Sequence, residues 1–275
     1  MRARIPAILL LAVLCSCGPK APVPAGPAGG MAVTFLDVGQ GDAALVRTAE
    51  GHTVVIDTGH SAQTAAQLAR AGVSRIDVLI LSHPHADHTG GLEAILRSFR
   101  VAETWYAGEY HGRAARALRA APAAEAVAAG KTRQLGRLSL TVLHPEPGWR
   151  GGGGETEVNN GSVVVKAVYG DSRYLFPGDC ELGCWEELFQ QHRPELRADV
   201  LKAAHHGSSN GTSSGVLINV RPRTVIISCG AGNRYGHPHA IVLKLIAKLG
   251  AALFRTDEQG AIRCAGGVCG PVAAQ

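Results

Sequence analysis

Four side chains able to bind a metal ion fall within six residues of this 275-residue chain: His83, His85, Asp87 and His88, in the run SHPHADHTGG. The run follows Ile76–Leu81, an apolar segment that reads as a buried strand, and precedes a helix expected from Gly90-Gly91-Leu92 to about Ser98. Alternate residues of an extended segment point the same way, so His83 and His85 suit one ion. Asp87 and His88, past the turn, suit a second. Pro84 stiffens the turn, and Gly90-Gly91 lets another piece of backbone pass closely. Two divalent ions held together lower the pKa of bound water, so the chemistry expected is metal-assisted hydrolysis.

Other groups share this placement at strand ends. Asp179 follows apolar Leu175–Phe176 and a Pro-Gly turn. His205 and His206 leave an expected strand at Val200–Ala203; adjacent side chains diverge, so one of them is expected to ligate, with His205 preferred. His237 lies in a Gly-flanked loop with Asn233 and Tyr235, as a late ligand or a substrate contact. Asp37, Gln40 and Asp42 form a turn after the first strand and are expected to line the cleft floor. Asp57 is placed to orient a ligand histidine.

The elements that must hold these groups are short. Strands are expected at Val33–Leu36, Ala43–Arg47, Thr53–Ile56, Val163–Tyr169, Tyr174–Phe176 and Thr224–Ser228, and a hairpin at the C-terminus. Helices are expected at Ala62–Ala71, Arg113–Ala120, Cys184–Gln191 and Ile241–Leu249, and a flexible loop at Gly151–Gly154. Arg113, Arg116 and Arg119 lie along one face of their helix. Strand-rich starts in both halves, each followed by strand–helix alternation, imply two sheets flanked by helices.

Hydrophobic residues make up 46% of the chain, enough for one domain with a real core. The formal charge of +5 includes Arg2 and Arg4, which precede a short apolar run, Ile5–Leu14. That run is too short to span a bilayer and fits a signal-peptide core. It ends in Leu14-Cys15-Ser16-Cys17, which resembles a bacterial lipoprotein signal with Cys17 as the lipidated residue. Residues 1–17 are thus expected as the signal segment, 18–30 as a Pro/Gly/Ala-rich tether and 31–275 as the domain. Export and a lipid anchor at the outer membrane or cell surface follow, with membrane contact through the anchor only. In an oxidising compartment Cys264 and Cys269 are expected to staple the terminal hairpin, Cys180 and Cys184 to be able to pair, and Cys229 to be buried and inert. Aromatic residues are only 5%, which leaves little for a base-stacking platform.

HxHxDH is the first metal motif of the metallo-β-lactamase superfamily. FLDVGQGDA (Phe35–Ala43), IDTG (Ile56–Gly59), NNGSVV (Asn159–Val164), LFPGD (Leu175–Asp179), LKAAHHGSS (Leu201–Ser209) and GAGNRYGHP (Gly230–Pro238) resemble, in order, the blocks of its ComEC-type competence proteins. There they form the extracytoplasmic hydrolase domain of a DNA-uptake channel. The resemblance implies a four-layer αββα sandwich with two divalent ions, zinc or manganese, at one edge. It implies that His83, His85, Asp87, His88, Asp179 and one of His205 and His206 bind the ions, with Asp179 bridging them; it does not decide between the two histidines, of which His205 is preferred. The implied reaction is hydrolysis of a phosphodiester, DNA by preference, through a metal-bound hydroxide. Asp87 would orient that hydroxide, and His237 or Tyr235 would stabilise the leaving oxygen.

One block departs from the wider superfamily, which supplies a further histidine to the first ion before the bridging aspartate. NNGSVV offers Asn159 or Asn160 there, and His144 does not stand in a matching block. An amide is a poorer zinc ligand than imidazole, so the first site is expected to be weak, to favour a harder ion such as manganese, or to fill only with substrate. The rival readings are a metallohydrolase of another ester, a lactone or a β-lactam, and a non-catalytic DNA-binding lipoprotein.

Overall fold

The computed structural model describes residues 30–149 and 154–272. The expected signal segment, the tether apart from Gly30 and the Gly151–Gly154 loop apart from Gly154 lie outside the described residues.

Short apolar runs separated by tight turns build an antiparallel meander of β1 (Met31–Phe35), β2 (Ala44–Thr48) and β3 (Thr53–Ile56). Helical crossovers then add parallel strands. α1 (Gln63–Arg70) leads to β4 (Arg75–Ile80). A single-turn α2 (Ala86–Thr89) and α3 (Leu92–Ser98) lead to β5 (Arg100–Tyr106), and α4 (Gly112–Ala120) leads to β6 (Ala124–Ala126). The second sheet repeats the plan. β7 (Thr132–Leu135), β8 (Leu138–His144), β9 (Val164–Tyr169) and β10 (Ser172–Phe176) are antiparallel, with α5 (Glu155–Asn160) before β9. α6 (Leu182–Gln191), α7 (Ser214–Val220) and α8 (Ala240–Leu249) then carry the chain to parallel β11 (Val200–Lys202), β12 (Thr224–Ile227) and β13 (Ala252–Arg255). After α9 (Thr256–Gln259), the hairpin β14 (Ile262–Ala265) and β15 (Val268–Pro271) returns to the first sheet beside β1.

Alternation along the strands decides the layers. Val33, Phe35, Val54, Val78 and Ile80 of the first sheet meet Leu138, Leu140, Val142, Val165 and Phe176 of the second in one buried cluster. The rings of Phe35 and Phe176 stack across it at 5.9 Å. The opposite face of the first sheet, with Val55, Leu79 and Leu81, is covered by Leu68 of α1, Ile95 of α3 and Leu118 of α4. That of the second, with Leu201, Val225 and Ile227, is covered by Trp185 of α6, Leu217 of α7 and Ile246 of α8. This is the expected αββα sandwich. Cys264 is disulfide-bonded to Cys269 and Cys180 to Cys184, while Cys229 is buried and unpaired.

The carboxyl ends of the parallel strands open at one edge. Asp57 follows β3, His83 follows β4, Asp179 follows β10, and His205-His206 follow β11. Ligand sites in α/β sheets gather at such ends, where loops rather than ladders fix the side chains.

Candidate metal centre

The HPHADH segment is locked from below by Asp57, whose backbone is left-handed (φ 59°). Its carboxylate accepts hydrogen bonds from the Ser82 backbone N–H (2.7 Å), the Ser82 hydroxyl (2.8 Å) and His88 Nδ1 (2.8 Å). With its proton given to Asp57, the Ser82 hydroxyl is an acceptor for His83 Nδ1 at 3.0 Å. Both histidines therefore turn Nε2 toward the cleft. His206 follows the same rule: its Nδ1 donates to the Ser228 carbonyl at 2.9 Å. Backbone and carboxylate partners of this kind fix the tautomer of a metal-binding histidine.

Two groupings result, with Asp179 between them. His83 Nε2 lies 3.0 Å from His85 Nδ1 and 3.8 Å from Asp179 Oδ2. On the other side, His88 Nε2 lies 3.3 Å from Asp179 Oδ1 and 3.9 Å from Asp87 Oδ2. His206 Nε2 lies 3.2 Å from Asp87 Oδ2 and 3.4 Å from Asp179 Oδ2. The α2 turn, which the sequence reading left out, bends Asp87 and His88 back over the strand end. Gly90 makes this possible, since a Cβ there would stand 2.1 Å from the His60 carbonyl oxygen.

His205 and His206 do not diverge as expected for adjacent residues of an extended chain. Both are left-handed (φ 48° and 53°), and the backbone rolls so that both rings face the cleft. His206 is buried against Asp179 and Asp87. His205 is less buried; its Nε2 reaches Asp179 Oδ2 at 3.8 Å and its Nδ1 lies 3.1 Å from Glu181 Oε1. The geometry thus brings His206, the less favoured of the pair, into the tighter contact.

Several other expected residues have different employment. The Asn160 carboxamide oxygen accepts from the backbone N–H groups of Glu181 and Cys184, at the start of α6. Asn159 donates to Glu181 Oε1 at 2.8 Å and keeps a buried oxygen without a partner. Asn233 spends its amide inside its own loop, donating to the carbonyls of Gly230 and His237 and accepting from the N–H groups of Tyr235 and His237. Asp37 accepts from Gly39 N–H in a turn and lines a cavity of about 460 Å³ on the outer face of the first sheet, apart from the histidines. His237 does reach the cleft, its ring 5.3 Å from that of His205; Tyr235, half exposed, stacks on it at 5.7 Å. His239 lies behind, bonded to Ser209.

Asp42 stands beneath the centre, as expected of the cleft floor, and Lys202, not anticipated from the sequence, stands there with it. Buried Lys202 pairs with buried Asp42, whose other oxygen is 3.4 Å from His206 Nδ1. Asp42, His88, Asp179 and His206 all offer an atom within 4.8 Å of one another. Asp42 faces the Nδ1 sides of both rings and is already neutralised by Lys202, so it orients rather than ligates. A lysine inside the apolar strand Val200–Lys202 was the available signal.

The sequence pattern of the metallo-beta-lactamase superfamily matches residues 36–230. This chain belongs to that superfamily. Competence protein ComA of Neisseria gonorrhoeae is 36% identical over 267 residues, 94% of this chain and 35% of that protein. ComE operon protein 3 of Bacillus subtilis (strain 168) is 30% identical over 257 residues, 84% of this chain and 32% of that protein. The chain spans about a third of the length of these relatives. In structure it resembles Tm1679, described as a metal-dependent hydrolase of the beta-lactamase superfamily, with a TM-score of 0.54 at 14% identity over 89% of this chain and 100% of that one.

The superfamily implies divalent metal, and the donors here fit it. His88 Nε2, His206 Nε2 and Asp179 Oδ1 are buried, lack hydrogen-bond partners and converge. Such orphaned atoms cost free energy unless a cation satisfies them. The charges agree. Burial disfavours a charged His88, yet Asp179, Asp57 and Asp87 push its pKa well above the usual value; His206 is likewise raised against burial by Asp179 and Asp42. Against its own burial, Asp179 is held well below the carboxylate range by His206 and His88. His83 is pushed well down, by burial and then by His88, which leaves it neutral. The carboxylates that raise His88 and His206 would equally favour a bound cation.

Proposed function

We propose that this superfamily member is an exported, metal-dependent phosphodiesterase that acts on DNA. The observation that carries the reading is the convergence of the buried, unpartnered His88 Nε2, His206 Nε2 and Asp179 Oδ1, with His83 and His85 on the other side of Asp179. The competence relatives favour DNA as the diester. In this reading His83 and His85 would hold one divalent ion, and His205, with Nε2 3.8 Å from Asp179 Oδ2, stands beside the centre. Asp87, His88 and His206 hold the other, and Asp179 serves both. Zinc or manganese so bound supplies Lewis acidity toward a phosphate oxygen and toward water.

The chain's own groups complete the task. Asp87 accepts a hydrogen bond from the attacking water and aims it. His237, whose pKa burial and then His206 lower to about 4, is a neutral imidazole that donates to the leaving oxygen. Tyr235, with the Arg234 guanidinium donating to its hydroxyl at 2.8 Å, supplies a phenolic proton nearby. Asp57, Ser82, Asp42 and Lys202 keep the rings from rotating.

Lipidation of Cys17 would tether the domain outside the membrane. Two disulfides suit an oxidising compartment, and among the described residues no helix is long and apolar enough to cross a membrane. Mass spectrometry of the mature N-terminus tests this; an unmodified N-terminus elsewhere rejects the anchor. The activity is tested by hydrolysis of a chromogenic phosphodiester, plasmid and single-stranded DNA, with zinc and with manganese, against chelated protein. Metal-dependent cleavage of the diesters is expected. A fully metallated protein that opens lactones or β-lactams but no phosphodiester overturns the substrate.

A further inference from the structure

Helix α4 carries Arg113, Arg116 and Arg119, all exposed, while Ala115, Ala117 and Leu118 are buried. Residues three apart drift by about 60° around a helix, so the three guanidinium groups form one stripe. In α4 itself there is no acid, and Glu109 is the single carboxylate of the segment 107–120. Ion pairs close by use other partners, Arg97 with Glu93 and Arg133 with Glu103; among the described residues none engages the α4 arginines. Three unneutralised cations on a helix held from behind are not needed for the fold.

The loop that precedes α4 reaches the metal centre. A Cβ on Gly108 would touch Pro84 Cδ at 3.6 Å, and Pro84 lies between His83 and His85. Tyr110, in the same loop, packs edge-on against the Tyr106 ring at 5.6 Å. α4 starts two residues later.

We propose that the arginine face of α4 binds the backbone phosphates of a nucleic acid whose scissile phosphate lies at the metal centre. This rests on the phosphodiesterase reading and extends it from a single diester to a polymer. The charge repeat selects the occupant. Arg113 to Arg119 spans about 9 Å of helix axis, against about 3.4 Å of axis per phosphate of one DNA strand, so three phosphates are within reach. Guanidinium forks match phosphate oxygens bidentately. Leu118, the one large apolar residue of α4, is buried, so the exposed face offers no apolar anchor for a protein partner.

The test uses metal-free protein, so that binding is read without cleavage. Fluorescence anisotropy with labelled single-stranded and duplex DNA is followed across salt concentrations. The wild type is compared with the triple variant Arg113→Gln/Arg116→Gln/Arg119→Gln and with the three-lysine equivalent. Removing three phosphate contacts should flatten the slope of log K against log salt by roughly 2 to 3 and weaken binding more than tenfold at low salt. The lysine variant should keep most of the slope. With metal restored, the glutamine variant should raise KM for plasmid while kcat at saturation holds. Equal slopes and equal KM in wild type and glutamine variant overturn the proposal even if the enzyme cleaves DNA. If the slope is lost but the metallated protein cleaves no diester, the α4 surface stands and the phosphodiesterase reading falls. Binding of an acidic protein surface in preference to DNA also overturns it.

Discussion

His88 and His206, candidate ligands of the metal centre, depend on what their other ring nitrogen touches. His88 donates Nδ1–H to Asp57, and His206 donates to the Ser228 carbonyl. Asp57→Asn keeps the shape but removes the charge, and the amide must turn its oxygen toward three donors. It should weaken metal binding about 10- to 100-fold, measured by competition with a chromophoric chelator; unchanged affinity would show that Asp57 only forms the turn. A pH effect of definite sign follows from the protons on His88 and His206, whose pKa values are raised in the metal-free protein. Those protons support the metal-free fold below the unfolded histidine pKa of about 6.5, and that support is lost as pH rises through the raised values. Metal must displace them. The gain in Tm on adding zinc or manganese should therefore grow from acid to alkaline pH, with protons released on binding; a gain that shrinks with pH contradicts this charge distribution. At this scale HPHADH and Asp179 were legible because chemistry-bearing residues cluster in sequence. The choice between His205 and His206 was not, because two consecutive left-handed residues leave no mark in composition. Nor was the use of Asn160 as a cap for α6, since the same amide could serve either role.

At the scale of elements, strands with apolar ends announced themselves. β3 has the expected bounds, and the other anticipated strands and helices are shifted by only a residue or two. β5 was missed because Glu103 interrupts its apolar pattern. β8, with Leu138, Leu140 and Val142 alternating, was legible and passed over. The two-sheet plan survived these omissions because β3, β4, β10 and β11, the strands that carry the site, were all read, whereas β6, β7 and β13, also unread, lie at sheet edges. Close packing of elements gives a direct test in Gly90→Ala. The new methyl group would meet the His60 carbonyl, so the loop after β3 or the α2 turn must shift. A cost of about 1–3 kcal/mol is expected, read as a lowered Tm together with weaker metal binding. A drop in Tm with full metal affinity would separate the glycine from the site.

Across the whole molecule, two sheets each bring their strand ends to one edge, and Asp179 from the second meets His83 and His88 from the first. The same edge is closed by Gln40, whose side chain accepts from Gly230 N–H across the sheets. Disulfides lie outside this junction at Cys264–Cys269 and next to it at Cys180–Cys184. Non-reducing peptide mapping of exported protein should find both, with Cys229 as the free thiol; other pairings would contradict the fold at the start of α6. Joining of the two sheets through shared metal is the central claim, and Asp179→Asn tests it most directly because it removes the shared charge and keeps the side-chain shape. The measurement is metal content and phosphodiester hydrolysis on the same preparations of wild type and variant, loaded with zinc or manganese. Two ions per wild-type chain are expected, with loss of bound metal and a fall in kcat of at least about 100-fold in the variant. Full metal content and undiminished hydrolysis in Asp179→Asn would contradict the account.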